Sequence, residues 1–261
     1  MLAWLAQHCA GHDHWSPAGA LGSGARGGVR SGDHATESLH VSTNLAEDQI
    51  YLSQPDTAFL SKARITDWET DKTFSTDWAG NHFFFWAELL HPLREKPVRI
   101  LEIGSWEGRS ALFFLNYLPL SCITCIDTFG GNVEHHLDPH FQRLALKTEA
   151  QFDSNLAAFA HRVEKIKGSS TIVLPTLGIS GRRFDLAYID GSHMAADVYG
   201  DAVLTWPMME PGGLVIFDDY EWDLMSNDRQ RPRLGIDAFL AVSRGHYREL
   251  HRAYQLVIAK L

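Results

Sequence analysis

The sequence is short of cysteine, of positive charge and of long apolar runs. Its 261 residues include three cysteines, which is too few for the disulfide framework of a small secreted domain. Lysine and arginine number 23 against 32 acidic residues, so there is no cationic excess to track nucleic-acid phosphates. The longest apolar stretches, such as residues 83–86 and 111–115, are far too short to span a membrane. We therefore expect neither nucleic acid nor a membrane as a partner.

The cysteines also bear on location. Cys122 and Cys125 form a CxxC pair within an apolar, strand-like run, and no second ligand pair accompanies them. This pattern favours buried, reduced thiols over a zinc site. Residues 1–10 are mildly apolar but lack the basic start and long apolar centre of a secretory signal. These features predict a cytoplasmic protein, and they leave homo-oligomerisation open.

Glycine is unevenly distributed along the chain. Residues 1–45 contain seven of the 21 glycines and show no apolar period, which predicts a disordered N-terminal arm. Residues 46–75 have a mixed pattern and are interpreted as a lid or cap segment. Residues 76–261 carry regular apolar patterns and are expected to form the catalytic domain.

This last segment alternates strand and helix patterns. Strands are predicted at Val98–Ile103, 122–126, 163–166, Phe184–Ile189, 214–217, 247–250 and 254–261. Helices are predicted at 78–93, 108–118, 152–162 and 236–243. A fifth helix is predicted from an apolar face made by Val198, Ala202, Trp206 and Met209, and it is expected to end at the turn 211–213. Repeated βαβ units predict an α/β fold with a doubly wound, mostly parallel, seven-stranded sheet. The last two strands are expected to form an antiparallel pair.

A glycine-containing loop, EIGSWEGRS at residues 102–110, follows the first strand. Gly104 allows a sharp turn, and Gly108 allows the next helix to begin close to a ligand. A dinucleotide fingerprint needs a glycine in the middle of the loop, where bulky Trp106 stands beside acidic Glu107. The loop therefore favours a cofactor without a pyrophosphate, although its G-x-x-x-G spacing also occurs at ordinary strand–helix turns.

The next two strand ends suit a nucleoside. Asp127 ends the second strand, about 20 residues beyond the loop, where a carboxylate can accept both ribose hydroxyls. The alternative is an ordinary turn carboxylate. Ser169 and Ser170 follow the third strand and are small polar residues suited to an adenine edge, although many loops have this composition.

Acidic residues end two further strands. Asp190 follows the strand at Phe184–Ile189, while Asp218 and Asp219 follow the strand at 214–217. One crossover helix separates these strands, so we expect them to be neighbours about 4.8 Å apart. Three unpaired carboxylates would repel one another, and a divalent cation such as Mg²⁺ would remove that repulsion. Alternatively, Asp190 and Asp218 cap turns and Asp219 faces solvent.

His193 stands three residues after Asp190, at the predicted start of the next helix. The positive end of the helix dipole disfavours imidazolium, so the ring is expected to remain neutral and to accept a proton near pH 7. Its place at the ligand-binding edge indicates a general base, whereas an isolated histidine is more often incidental.

Five segments together resemble class I S-adenosylmethionine (SAM) methyltransferases: LEIGSWEGRSAL, CIDTF, KGSS, YIDGSH and PGGLVIFDDY. The resemblance covers residues 76–261 and is greatest to methyltransferase family 24, which is itself similar to catechol-type and macrolide-sugar O-methyltransferases. It implies a Rossmann-like fold, SAM as cofactor and methyl transfer to a hydroxyl group of a small molecule.

The resemblance also assigns roles to positions. It places Ser110 near the methionine carboxylate, Asp127 at the ribose and Ser170 at the adenine. The full set of SAM-binding positions is Glu102, Gly104, Ser105, Trp106, Gly108, Ser110, Asp127, Thr128, Ser169, Ser170 and Asp190.

For the reaction itself, Asp190, Asp218 and Asp219 fall on the metal-ligand positions, the last of which is asparagine in catechol-type enzymes. His193 falls where the macrolide-sugar enzymes have a histidine base. Ser192 replaces an aromatic residue of the catechol-type enzymes, which disfavours a catechol acceptor.

The expected reaction is an in-line displacement. His193 would remove the proton of an acceptor hydroxyl held on the metal while the oxygen attacks the SAM methyl group. The segments at 128–146 and 221–234 are predicted to be loops that cover the acceptor. Three alternatives stay open: a metal-free methyltransferase that uses His193 as base and Asp190 as its orienting partner, a nicotinamide oxidoreductase, and a SAM-binding protein without catalysis.

Overall fold

The computed structural model describes residues 56–261, so the arm predicted at 1–45 lies outside the described residues, as does the first part of the segment predicted as a cap. The strands of the described part are β1 Val98–Ile103, β2 Ser121–Asp127, β3 Val163–Lys167, β4 Phe184–Ile189, β5 Met209–Phe217, β6 Tyr247–Arg252 and β7 Leu256–Lys260. Its α-helices are α1 Lys62–Glu69, α2 Phe83–Leu90, α3 Arg109–Tyr117, α4 Val133–Leu137, α5 Pro139–Leu156, α6 Ser170–Ile179, α7 Ala195–Thr205 and α8 Pro232–Val242.

The seven strands of the described residues form one sheet in the order β3-β2-β1-β4-β5-β7-β6. Strands β1 to β5 run parallel, while β7 is antiparallel to both β5 and β6. The predicted fold class is therefore confirmed, as is the closing antiparallel pair. The strand order reverses between β1 and β4, which opens a crevice at their carboxyl ends.

Both faces of the sheet are covered, which explains the uninterrupted apolar strands. In β1, Ile100 packs into a core cluster with residues of α2 and α3. Its neighbours Leu101 and Ile103 point to the opposite face, into a second cluster with α6, α7 and α8. Because successive side chains of a strand alternate between faces, apolar residues follow one another along most of β1.

The prediction that residues 128–146 form a loop is wrong, because most of this segment is helical. Helix α4 begins after Asn132, and α5 begins after Asp138, whose carboxylate accepts a hydrogen bond from the backbone N–H of His140 at 2.7 Å. Pro139 occupies the first position of α5, where its missing N–H costs nothing. The buried positions of α5 are sparse, starting at Phe141, so the apolar period is too weak to show in the sequence.

The predicted turn at 211–213 is also wrong. Helix α7 ends at Thr205, and a short 3₁₀ helix at Trp206–Met208 leads into β5. Strand β5 begins at Met209 and includes Pro211, while its pairing with β4 shifts register between Phe184 and Leu186. This irregularity accommodates the proline and the glycines that suggested a helix end.

The predicted burial of two cysteines is confirmed. Cys122 and Cys125 both lie in β2 and are buried. Within residues 56–261, none of the helices has the length and apolar character needed to cross a bilayer.

Candidate active site

The loop after β1 packs against the loop after β4. Gly104 has a φ of 84°, and a Cβ at this position would lie 1.9 Å from the carbonyl oxygen of Asp190. The backbone N–H of Asp190 donates to the carbonyl of Ile103 at 2.8 Å. Glycine is therefore required at 104 both for the left-handed turn and for this close approach.

Asp127 holds the same loop from the other side. One of its carboxylate oxygens accepts hydrogen bonds from the backbone N–H groups of Ser105 and Trp106, at 2.7 and 2.8 Å. The other accepts from the N–H of Phe129 at 2.6 Å. Burial raises the pKa of Asp127, although these backbone hydrogen bonds act in the opposite direction. The residue predicted to bind the ribose thus also shapes the Gly104 turn.

Glu102 and Gly108, both predicted to bind the cofactor, do not line the cavity described below. Glu102 is fully buried beneath it and accepts a hydrogen bond from the Ser110 hydroxyl at 2.6 Å. Burial raises the pKa of Glu102 to about 7. A Cβ at Gly108 would lie 3.0 Å from side-chain atoms of Phe152 and Leu156, so this glycine allows α3 to pack against α5 rather than against a ligand.

Asp190 and Asp218 meet at one tyrosine hydroxyl. Tyr188, in β4, donates to a carboxylate oxygen of Asp218, and its hydroxyl lies 3.0 Å from Oδ2 of Asp190. Burial and the negative charge of Asp218 raise the pKa of Asp190 well above its usual value. Burial and the charge of Asp219 raise the pKa of Asp218 in the same way. The predicted convergence of these two strand ends is present in the fold.

His193 pairs with Asp219. Its Nε2 lies 2.8 Å from Oδ2 of Asp219, and the hydroxyl of Tyr254 donates to Oδ1 of the same carboxylate at 2.7 Å. Burial alone raises the pKa of Asp219, but the charge and hydrogen bond of His193 and the Tyr254 hydroxyl outweigh it, so the net shift is downward. Asp219 is thus an internal partner of the histidine, and the expectation that it faces solvent does not hold.

Two details of the histidine prediction need correction. His193 precedes helix α7, whose N-cap is Met194, so the ring does not sit in the first helical turn. Its carboxylate partner is Asp219, from the loop after β5, and not Asp190. Asp190 is the partner that the sequence suggests, because it is only three residues from His193. In the fold, Asp219 reaches the ring because β4 pairs with β5.

One cavity of about 750 Å³ joins these groups at the carboxyl ends of the parallel strands. Its wall contains His193 and eleven of the predicted SAM and metal positions. These eleven are Gly104, Ser105, Trp106, Ser110, Asp127, Thr128, Ser169, Ser170, Asp190, Asp218 and Asp219. This volume is typical of a small-molecule site. Because the strands follow the order β3-β2-β1-β4-β5, Asp127 and Ser170 after β2 and β3 border one end of the cavity, and Asp219 after β5 borders the other with its partner His193.

An aromatic wall borders the cavity. The Trp78 ring stacks on His135 with centroids 5.4 Å apart, and the Trp106 ring lies 5.2 Å from the same imidazole. Phe141, the first buried residue of α5, lies 4.9 Å from His135. His135, in the segment predicted as a loop, is therefore part of a packed aromatic group at the cavity edge.

Sequence reasoning missed three polar residues of the site. Tyr188 lies inside an apolar strand and reads as a core residue. Tyr254 lies in the turn before β7, and His82 belongs to the short 3₁₀ helix at Gly80–His82. The His82 imidazole stacks between Trp86 and Tyr254, and its Nε2 lies 4.0 Å from Asp218. No local motif marks these positions, because only the tertiary fold brings them to the carboxylates.

The donor set at this edge suits a hard divalent cation, since Asp218 is buried, Asp190 and Asp219 are half-buried, and the three carboxylates are close enough to shift one another's pKa. As arranged, however, their oxygens accept hydrogen bonds from Tyr188 and Tyr254. Among the described residues, no group of three or more histidine, cysteine or acidic side chains has the spacing of a metal site. The chemistry fits a cation, and the side-chain arrangement would have to adjust to hold one.

The segment that carries most of these residues is similar to known proteins. Residues 101–220 match the model of methyltransferase family 24, a methyltransferase domain. The mycinamicin VI 2''-O-methyltransferase of Micromonospora griseorubida is 28% identical over 133 residues, which are 48% of this chain and 28% of that protein. The predicted resemblance is confirmed over the matched segment, while the chain corresponds to less than a third of that relative's length.

Solved structures share the fold. MycE methyltransferase of the mycinamycin pathway, in complex with Mg, S-adenosylhomocysteine (SAH) and mycinamycin VI, has a TM-score of 0.50 and 19% identity, covering 75% of this chain and 54% of that chain. An O-methyltransferase from Bacillus cereus in complex with SAH has a TM-score of 0.51 and 16% identity, covering 83% and 96% of the two chains. At these identities the likeness establishes a shared Rossmann-like methyltransferase fold.

Proposed function

We propose that this chain is a SAM-dependent O-methyltransferase that acts on a hydroxyl group of a small molecule. The observation that carries the proposal is the single cavity that joins the Gly104 loop to the His193–Asp219 pair. Methyl transfer needs the sulfur, the methyl carbon and the acceptor oxygen in line, with a proton acceptor within reach of the acceptor hydroxyl. A cavity bordered by both the cofactor loop and the His193–Asp219 pair supports such an arrangement. The methyltransferase domain match over residues 101–220 supports the same reaction.

The cofactor end is built for a ligand without a pyrophosphate. The Trp106 side chain occupies the place where a dinucleotide would need close backbone approach, and Glu107 adds negative charge. The carboxylate of Asp127 has about four lone-pair positions, of which three already accept backbone N–H groups. We therefore expect Asp127 to accept one ribose hydroxyl rather than the two anticipated from sequence.

At the acceptor end, the chain's own residues provide a base. Asp219 fixes the orientation of the His193 ring, and Tyr254 fixes the carboxylate in turn. We assign the ring proton to Nε2, donated to Asp219, so that Nδ1 is the basic nitrogen of the neutral ring. Nδ1 is buried in the structure, so the ring has to turn for an acceptor hydroxyl to reach it. His193 would then take the acceptor's hydroxyl proton as the oxygen attacks the methyl group.

We further propose that Asp190, Asp218 and Asp219 hold a divalent cation, for which Mg²⁺ in the MycE complex is a precedent in a protein of similar fold. Burial and mutual repulsion raise the pKa of Asp190 and of Asp218, and a cation would relieve that repulsion. When bound, such a cation supplies Lewis acidity that lowers the pKa of a neighbouring acceptor hydroxyl.

A metal-free reaction is the second candidate, and one observation favours it. Asp219 is already engaged by His193 and Tyr254, which is the arrangement of an oriented histidine base rather than of a metal ligand. In this version the carboxylates of Asp190 and Asp218 share the Tyr188 hydroxyl, and burial raises the pKa of each.

The test is an acceptor screen with SAM. The protein is incubated with SAM and a panel of sugar, macrolide and phenolic hydroxyl compounds, with added Mg²⁺ or with excess chelator, and SAH release is measured by mass spectrometry. We expect SAH release with a hydroxyl acceptor and no binding of NADH. Activity that persists in chelator supports the metal-free version, whereas binding of NADH in place of SAM would contradict the proposal.

A further inference from the structure

A fully buried acid lies beneath the cofactor loop. Glu102, near the end of β1, is 0% exposed and does not border the cavity. Its Oε1 accepts a hydrogen bond from the Ser110 hydroxyl at 2.6 Å, and its Oε2 lies 3.4 Å from Sγ of Cys125. Ser110, in the first turn of α3, does border the cavity. A ligand therefore cannot touch Glu102, but Ser110 connects this acid to the cavity.

The charge of Glu102 decides what the Ser110 hydroxyl can offer to a ligand. An ionised carboxylate contains only acceptors, so the single hydroxyl proton of Ser110 has to point down at Glu102. A protonated Glu102 can itself donate to the serine oxygen, which frees the hydroxyl proton to point into the cavity. Ser110 thus presents only lone pairs to a ligand in the first state and can present a donor in the second.

Glu102 can change its charge near neutral pH. Burial raises the pKa of Glu102 to about 7, hydrogen bonds to its carboxylate act in the opposite direction, and the negative charge of Asp127 in β2 adds to the rise. The hydroxyl of Tyr188, opposite Glu102 in β4, is directed to the carboxylates of the acceptor end. Arg109, which begins α3, pairs with one acid at the end of α1 and one before α2. Both charge states of Glu102 are therefore accessible.

The start of α3 suits the carboxylate of the cofactor's amino-acid end. The first backbone N–H groups of a helix have no partner within the helix, and the helix dipole adds partial positive charge there. Gly108, the N-cap of α3, has no side chain to satisfy these groups. The proposed function puts the nucleoside of SAM at the ends of β2 and β3. The loop after β1, which leads into α3, is then left for the amino-acid end.

We propose that Glu102 is a positioning residue for the cofactor: it takes up a proton from solvent when SAM or SAH binds, and Ser110 then donates its hydroxyl proton to the cofactor's carboxylate. An ionised Glu102 instead repels that carboxylate and engages the hydroxyl that should bind it. Cofactor affinity should therefore be high below pH 7 and should fall as the pH rises through about 7. This inference rests on the proposed function, because it assumes that SAM occupies the cavity.

The experiment is isothermal titration calorimetry with SAH at pH 6 and pH 8, in buffers of different ionisation enthalpy. We expect the affinity of the wild-type protein to fall by roughly 3- to 10-fold over this range, with uptake of part of a proton on binding. Glu102→Gln should bind SAH equally well at both pH values, because its amide donates to Ser110 as the protonated acid would. At pH 8 it should therefore bind SAH more tightly than the wild type. Glu69→Gln removes a carboxylate that pairs with Arg109 outside the cavity, and it should keep the wild-type dependence.

Two further measurements test the route through Ser110. Methylthioadenosine has the nucleoside and the sulfur of SAH but no carboxylate, so its affinity for the wild-type protein should not depend on pH. Ser110→Ala should bind SAH more weakly than the wild type at pH 6, because the hydroxyl donor is missing. The same variant should lose most of the dependence on pH.

The outcomes separate this inference from the proposed function. A wild-type affinity for SAH that does not change with pH, or that falls equally in Glu102→Gln, would overturn the inference while leaving SAM binding intact. Equal pH dependence for methylthioadenosine, or full dependence in Ser110→Ala, would overturn it as well, because the effect would not pass through the cofactor's carboxylate and Ser110. Absence of SAH binding by the folded wild-type protein at both pH values would instead refute the proposed function.

Discussion

The two ends of the cavity are built in different ways. At the cofactor end, Asp127 is satisfied by backbone N–H groups, and the Gly104 turn is fixed by its contact with Asp190. At the acceptor end, carboxylates are held by side chains, chiefly the Tyr188 hydroxyl and the His193 ring, and they repel one another. Contacts made by backbone groups depend on the fold as a whole. Contacts made by side chains can be removed by substitution without unfolding the protein. Binding and turnover should therefore be separable by mutation.

The largest separation is expected for His193→Ala. Loss of the base should lower turnover by roughly 10²- to 10⁴-fold, since general base catalysis typically contributes that much. Affinity for SAH should stay unchanged, because His193 is not among the positions predicted to bind SAM. His161→Ala, an exposed histidine away from the cavity, is the control. Turnover that survives in His193→Ala would remove the histidine from the mechanism.

Gly104→Ala should instead break the cofactor end. A Cβ 1.9 Å from the Asp190 carbonyl, at a φ of 84°, should cost about 2–4 kcal/mol of stability and weaken SAH binding severely. Gly181→Ala is the control that has the backbone strain without the clash. Gly181 has a similar φ of 77°, and a Cβ added there would have no atom within 4 Å. Thermal unfolding and calorimetry would measure both effects. Equal losses in the two variants would show that the contact with Asp190 is unimportant.

Glu102→Gln should change how stability depends on pH. Burial raises the pKa of Glu102 to about 7 in the folded protein, against about 4.3 when unfolded. Between these values the unfolded chain has already released the proton, so the folded state loses stability as the pH rises through about 7. Between pH 5 and pH 8 the free energy of unfolding of the wild type should fall by about 2–3 kcal/mol because of Glu102, and this fall should be missing in Glu102→Gln.

Urea unfolding at the two pH values measures that difference. Glu95→Gln, an exposed glutamate, should keep the wild-type dependence on pH. An identical dependence in Glu102→Gln and wild type would show that Glu102 does not titrate with a raised pKa.

Tyr188→Phe sharpens the question of the cation. Removing the hydroxyl leaves Asp190 and Asp218 without their shared donor, which should cost about 1–3 kcal/mol of stability. If the carboxylates hold a divalent cation, excess Mg²⁺ should restore most of the lost thermal stability. The control is Tyr117→Phe, which removes another buried hydroxyl, donated to the carbonyl of Ala87, away from the cavity. Recovery in neither variant would favour the metal-free version.

The sequence predicted the parts of the site that follow from strand ends. Apolar runs located β1 and β4, and acids directly after parallel strands had to meet at one edge, as Asp190 and Asp218 do. The partner of His193 could not be predicted, because Asp219 is distant in sequence and reaches the ring only through the pairing of β4 with β5.

Other features were hidden by ordinary residue patterns. Tyr188 reads as one apolar position in a buried strand, although its hydroxyl joins two carboxylates. Asp201 reads as a polar residue on a surface helix, although it is buried. Helices α4 and α5 bury only a sparse stripe of residues, so their histidine-rich sequence resembles a loop.

A crystal structure with SAH bound would test the central claim most directly. The account predicts the adenine beside Ser169 and Ser170, and the sulfur facing His193 across the space that an acceptor would fill. SAH bound outside this cavity, or a sulfur turned away from His193, would contradict it.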